Sequence, residues 1–173
     1  MRRFERKPDG AVEAQLDAEE AVLLQSLAGQ VADLVTTGVA ATGQASSTSG
    51  RDDPALARLL PDAYPDDAEA SAEFRRFTES GLAGRKRQNA ETVIRSLDGT
   101  GVTGLVTLDA AETLAWLRCL TDIRLTIAAR LGIDTEDDDA GRSIDPLMRE
   151  IYDWLGFVQN SLIEALDDQA SHG

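Results

Sequence analysis

The sequence predicts a mostly α-helical single domain: about four main helices, a short N-terminal β-hairpin and a third short strand. Three observations carry that reading. In Asp145–Leu166, residues Met148, Ile151, Leu155, Val158, Leu162 and Ala165 recur at spacings of three and four, so one helix face is continuously apolar. Asp17 with Glu20 and Asp109 with Glu112 each stand before an apolar run of helical period, as capping boxes do. Pro8-Asp9-Gly10 is a turn former between RRFERK and AVEAQL, two segments short enough to be strands that must pack on something else.

Along the chain, Asp17 opens a helix whose face is Leu24, Leu27, Val31 and Leu34, fading at Thr37-Gly38. Residues 38–53, GVAATGQASSTSGRDD, have little apolar area to offset ordering entropy and are expected to form a flexible loop inside the domain. Pro54–Leu60 reads as a short helix with proline in its first turn. Asp67 opens a longer helix to about Leu97, with Phe74, Phe77, Ala90, Val93, Ile94 and Leu97 inward and a kink or break expected at Gly81 and Gly84. Val102–Thr107 is the third strand, able to pair with the hairpin. The next helix runs from Asp109 to about Leu131, where Gly132 stops it, with Leu117, Leu120, Ile123, Ile127 and Leu131 buried. An acidic loop, Asp134–Ser143, leads to a last helix capped by Asp145 and Pro146.

The chain of 173 residues suits one domain, and 42% apolar with 28% charged residues is an ordinary globular balance. Acidic residues outnumber basic ones 31 to 17, a formal charge of −14 that repels phosphate backbones and anionic lipid. Direct DNA binding is therefore disfavoured. The single cysteine, Cys119, excludes an intramolecular disulfide. No signal-peptide pattern and no run near the roughly eighteen apolar residues of a membrane span stands out, so a cytoplasmic location is expected.

Chemistry-bearing motifs are few. Gly99, Gly101 and Gly104 match G-x-G-x-x-G, but a helix precedes them and a β-like LVTL follows. A dinucleotide site needs the reverse order, so no cofactor is expected. Thr135–Gly141, TEDDDAG, fails the EF-hand spacing in either register and reads as a solvated loop, so no metal site is expected. The only histidine, His172, is next to last, which removes histidine-based nucleophilic and metal chemistry. No pair of carboxylates is marked as catalytic. Cys119 shares a helix face with Trp116, Leu120 and Ile123 and is expected to be a buried thiol; a redox-sensing thiol is the alternative. Arg75, Arg76, Arg85, Lys86, Arg87 and Arg95 form a basic cluster that either meets a partner or offsets acidic charge within the fold. Arg124 lies four after Leu120 and seven after Leu117, so it points inward and needs a partner, with Asp153 the first candidate for a structural ion pair.

The last helix has more apolar circumference than one small domain covers, because Leu147, Trp154 and Phe157 widen its stripe. Leu147, Ile151, Trp154, Phe157, Val158 and Leu162 are the interface candidates, and a homodimer is expected.

Four blocks carry a family likeness: Leu16–Leu34, LARLLPDAYPDD (Leu56–Asp67), RLTIAARLGI (Arg124–Ile133) and YDWLGFVQNSLIEAL (Tyr152–Leu166). As an ordered set they resemble an actinobacterial domain-of-unknown-function family. That resemblance implies a gene often placed beside the adaptor of the Clp protease, and a role, in some members, in oxidative-stress or transcriptional regulation. The redox role attributed to some relatives involves paired cysteines, whereas this chain has Cys119 alone. The expected function is thus a non-enzymatic regulator acting through protein–protein contact, with the transcription machinery a candidate partner. A small enzyme with an acidic active site is the alternative; a convergent pocket with two carboxylates of opposed pKa would favour it, a flat apolar patch the regulator.

Overall fold

A tight turn starts the fold. The Lys7 amide donates to the Ala11 carbonyl at 2.8 Å and the Gly10 amide to the Lys7 carbonyl at 3.0 Å, while Gly10 takes φ 91°. The Asp9 carboxylate accepts from the Ala11 amide. The turn joins β1 (Glu5–Arg6) antiparallel to β2 (Val12–Gln15), and β2 pairs antiparallel with β3 (Leu105–Leu108), giving sheet order β1-β2-β3. Register places Val12 opposite Leu108 and Ala14 opposite Val106, so the buried side chains of β2 and β3 share one face.

This computed structural model describes residues 1–42, 53–61, 68–133 and 145–167. Five α-helices lie within them: α1 (Ala18–Thr42), α2 (Pro54–Leu59), α3 (Ala68–Asp98), α4 (Ala110–Leu131) and α5 (Pro146–Asp167). Their ends follow local chemistry. The Glu20 carboxylate accepts from the Asp17 amide at 2.8 Å ahead of α1. Asp53 caps α2 through the amides of Ala55 and Leu56. Asp109 and Glu112 form a reciprocal capping box on α4, and Gly132, at φ 68°, closes its other end. The Asp145 carboxylate accepts from the Leu147 amide at the start of α5.

The core is contiguous. Leu24, Ala28, Val31 and Val35 of α1 meet Ala90, Val93 and Leu97 of α3, Trp116, Leu120, Ile123 and Ile127 of α4, and Leu155, Val158 and Leu162 of α5. The sheet contributes Phe4 (just before β1), Val12, Val106 and Leu108. Phe4 meets Trp116 edge-on, with centroids 5.7 Å apart, and the Trp116 indole N–H donates to Ser96 Oγ at 2.9 Å. α1 packs along α3, whereas α4 packs on α2, α3 and α5; α5 packs on α4 and β1.

The four main helices and the hairpin match the sequence expectation, and a third strand forms, at Leu105–Leu108 and not from Val102, because Gly101–Thr103 make a 3-10 turn first. Three further details differ. First, α1 does not fade at Gly38 but continues to Thr42. Gly38 instead allows close packing, because a Cβ there would stand 2.6 Å from Leu56 Cδ1 of α2. Of the loop expected at 38–53, residues 43–52 lie outside the described residues. Second, α3 runs unbroken through Gly81 and Gly84. Packing along α1 and α4 outweighs the weak helix propensity of two glycines. Third, Ala18–Ala40 of α1 has the length and apolar composition to cross a membrane, contrary to the reading of the sequence. Here its face of Leu24, Ala28, Val31 and Val35 is spent on the core. The side chains of Phe74 and Phe77 lie outside the described residues.

The link between sheet and helices passes through Gly104, at φ 64°. Its carbonyl accepts from the Leu16 amide at 2.9 Å, and a Cβ on it would fall 2.1 Å from the Leu16 carbonyl oxygen. That distance is impossible, and the backbone there cannot move without breaking the pairing of β2 with β3. Gly104→Ala is expected to lower the unfolding free energy by more than about 2 kcal/mol in urea titration. A loss within about 0.5 kcal/mol, the range of an ordinary surface change, would show that Gly104 is not constrained this way.

Candidate functional site

Helix α4 brings three chemically active side chains to its packed faces: Cys119, Asp122 and Arg124. Cys119 is 1% exposed, and burial, helped by the nearby Asp122 charge, pushes its thiol up to about 12. The reading of a buried thiol agrees with this position.

Asp122 is the residue that sequence reasoning missed. It is 3% exposed and meets Lys86 of α3 at 2.5 Å. Burial pushes its carboxyl above the ordinary carboxylate range, and the Lys86 ammonium offsets part of that rise. One signal was available, since Asp122 follows Cys119 by three residues and therefore lies on the same inward face. Two described members of the basic cluster meet carboxylates within the fold. Lys86 serves Asp122, Arg87 pairs with Glu91 at 2.6 Å, and Arg95 donates to the Glu91 carbonyl and to Thr92. Arg85, Lys86 and Arg118 line a groove of about 390 Å³ between α3 and α4. The side chains of Arg75 and Arg76, and all of Thr135–Gly141 and His172, lie outside the described residues.

Arg124 does point toward α5, but its expected ion pair with Asp153 is not formed. Asp153 bonds Arg149, one turn back on its own helix, at 3.2 Å. The Arg124 guanidinium lies over the Tyr152 ring, 4.7 Å from the centroid, and its Nη1 donates to Gln159 Oε1 at 2.8 Å. The Gln159 side-chain amide in turn donates to Thr121 Oγ1 at 2.8 Å. Stacking on an aromatic face and a neutral acceptor have replaced the carboxylate partner. Arg124, Tyr152, Asp153 and Gly156 line a cleft of about 420 Å³ at the α4–α5 seam.

The interface candidates on α5 separate into two groups. Val158 and Leu162 are fully buried in the core and drop out as surface residues, because they continue the row of Leu155 that packs inward. Ile151 and Trp154 are half-buried at the edge of the core, while Leu147 and Phe157 are 62% and 47% exposed. Leu147, Trp154 and Phe157 follow one another by seven and three residues and so form one row along the outer side of the helix.

Two outcomes follow from this geometry. Cys119 is expected to alkylate slowly in the native protein and rapidly after denaturation, followed by mass spectrometry; rapid native labelling would contradict its burial. Lys86→Met strands the Asp122 carboxylate and is expected to cost about 2 kcal/mol near neutral pH, less than the ~3–5 of a fully buried pair because Lys86 keeps 17% exposure. With its midpoint raised in the folded state, Asp122 takes up a proton in the native protein before the unfolded chain does. The deficit should therefore shrink as pH falls through that midpoint. A pH-independent deficit in denaturant titrations would contradict the assignment.

No solved structure matches the chain. Among curated proteins it is 29% identical over 147 residues to the putative oxidative stress regulator AosR of Mycobacterium leprae, covering 76% of this chain and 65% of that protein, just under two thirds. It is 27% identical over 194 aligned positions to the oxidative stress regulator AosR of Mycobacterium bovis and of Mycobacterium tuberculosis, covering 95% of this chain and 86% of each relative. The model of the domain of unknown function DUF2017 matches residues 1–166, from the hairpin through α5, and the chain belongs to that family.

Proposed function

We propose that this protein is a cytoplasmic, non-enzymatic regulator in an oxidative-stress response and that it acts by protein–protein contact. The names of its mycobacterial relatives supply the process. The observation that carries the mode of action is the row Leu147, Trp154 and Phe157 on α5, a helix that packs on α4 and β1 and leaves large apolar side chains at its outer side. Exposed apolar area of this kind gains from being covered, at roughly 25 cal/mol per Å². In this reading α5 is the contact helix of a homodimer and presents the assembly to a protein of the transcription machinery. The oxidant signal enters through that partner, because the one thiol of the chain, Cys119, is buried and held protonated.

Light scattering at micromolar concentration is expected to give twice the chain mass, and Phe157→Asp to return it to a monomer of unchanged helicity. A wild-type protein that is monomeric throughout would remove the homodimer. Retention of a captured transcription-machinery partner by Leu147→Asp and Phe157→Asp variants alike would remove α5 as its contact surface.

A further inference from the structure

The groove of about 390 Å³ between α3 and α4 is positively charged in a chain whose formal charge is −14. Arg85, Lys86 and Asn89 come to it from one face of α3, spaced within one helical repeat. Arg118 and Asp122, four residues apart, come from the facing side of α4. Burial sorts these groups by depth. Asp122 is buried at the floor, Lys86 and Asn89 are half-buried, and Arg85 and Arg118 are exposed at the rims.

The floor is already neutral, because the Lys86 ammonium meets the Asp122 carboxylate at 2.5 Å. The rims are not. Among the described residues no hydrogen bond or ion pair engages Arg85 or Arg118. Asp122 is the one carboxylate among the described residues of the lining, so the two guanidinium charges stand uncompensated there. Each guanidinium presents a fork of N–H donors that fits a carboxylate in two-point fashion. Asn89, also without a described side-chain partner, adds a neutral donor and acceptor between them.

The occupant follows from this layout. The two free cations belong to different helices and face solvent, which suits separate carboxylates on one short chain. A phosphate dianion needs donors converging on one point, and the central ammonium is taken by Asp122, whose charge opposes a second negative one. A nucleic-acid strand would run out of the groove onto the acidic remainder of the surface and be repelled there. We propose that the α3–α4 groove docks a short acidic peptide segment of a partner protein, with carboxylates seated on Arg85 and Arg118. The site shares no residue with the apolar row on α5 and does not rest on that row being an interface.

The test is fluorescence anisotropy with the full chain and a fluorescein-labelled peptide of alternating glutamate and alanine. The same peptide with glutamine in place of glutamate, and a labelled oligothymidylate, serve as comparison probes. At low salt the acidic peptide is expected to bind saturably with a dissociation constant below about 1 mM, and the glutamine peptide not to bind. Arg85→Glu and Arg118→Glu should each weaken the acidic peptide at least about fivefold, since reversal turns an exposed attraction into a repulsion of similar size. Arg130→Glu makes the same charge change elsewhere on α4 and should leave affinity within about twofold. Phe157→Asp should bind as the wild type does, which separates this site from the α5 row. Circular dichroism melts report that the variants remain folded, as expected at exposed positions. No binding by the wild type, equal binding of the glutamine peptide, tighter binding of the oligothymidylate, displacement of the peptide by inorganic phosphate but not by chloride at matched ionic strength, or equal losses in Arg130→Glu and Arg118→Glu would each overturn the proposal.

Discussion

Burial of α4 on nearly every side is the constraint on which the other elements depend. α1, α2, α3, α5 and β3 all pack on it, and Trp116, Cys119, Leu120, Ile123 and Ile127 are at most 2% exposed. A helix enclosed in this way cannot leave polar groups to water, so its buried polar side chains take partners, with Arg124 Nε the exception among the described residues. Thr113 and Thr126 hydroxyls donate to carbonyls one turn back, the Trp116 N–H finds Ser96, and Asp122 finds Lys86. Each would cost about 1–3 kcal/mol if left unmet. Phe4 against Trp116 extends the same logic to the sheet. Three short strands are too small to be stable alone, and the ring contact ties them to the one helix that every other layer touches.

What was legible in the sequence was what local chemistry decides. The Pro8-Asp9-Gly10 turn, the Asp109–Glu112 capping box and the Gly132 stop each depend on residues within a few positions, and all appear where the sequence put them. The errors share a physical origin. Gly38, Gly81 and Gly84 were read as weak points because propensity is local, yet each lies in a helix held by packing from elsewhere in the chain. Gly38 in particular is small because α2 presses Leu56 against it. Arg124 was correctly turned inward by its spacing from Leu120 and Leu117. Its partner was not legible, since a guanidinium can be satisfied by an aromatic face and a neutral amide as well as by a carboxylate. The Arg149–Asp153 pair needed only four residues of separation on one helix, and that proximity took the carboxylate away.

α5 owes its two surface features to its position at the margin. It packs on α4 and β1, so a limited part of its circumference is covered. Leu155, Val158, Leu162 and Ala165 fill that part. On one flank of the buried stripe come Trp154 and Phe157; on the other come Tyr152, Gly156 and Gln159, which face Arg124. A helix with 3.6 residues per turn places these two sets on different sides of the same rod. An apolar row and a polar cleft therefore coexist on 22 residues and share one side chain, Phe157, which also lines the cleft.

The Cys119 environment shows how the same packing decides reactivity. A thiol becomes a nucleophile when a nearby cation and solvent stabilise the thiolate. Lys86 is such a cation, and it does pull the thiol down. Its ammonium, however, is bonded to Asp122, whose negative charge acts on Cys119 in the opposite sense and outweighs it. Burial adds the largest contribution in the same direction as Asp122. The three groups thus form a closed arrangement in which the ammonium neutralises a carboxylate instead of activating a sulfur. Oxidants that react with thiolates meet a water-excluded sulfur here, whose thiolate form is disfavoured beside the ion pair that joins α3 to α4.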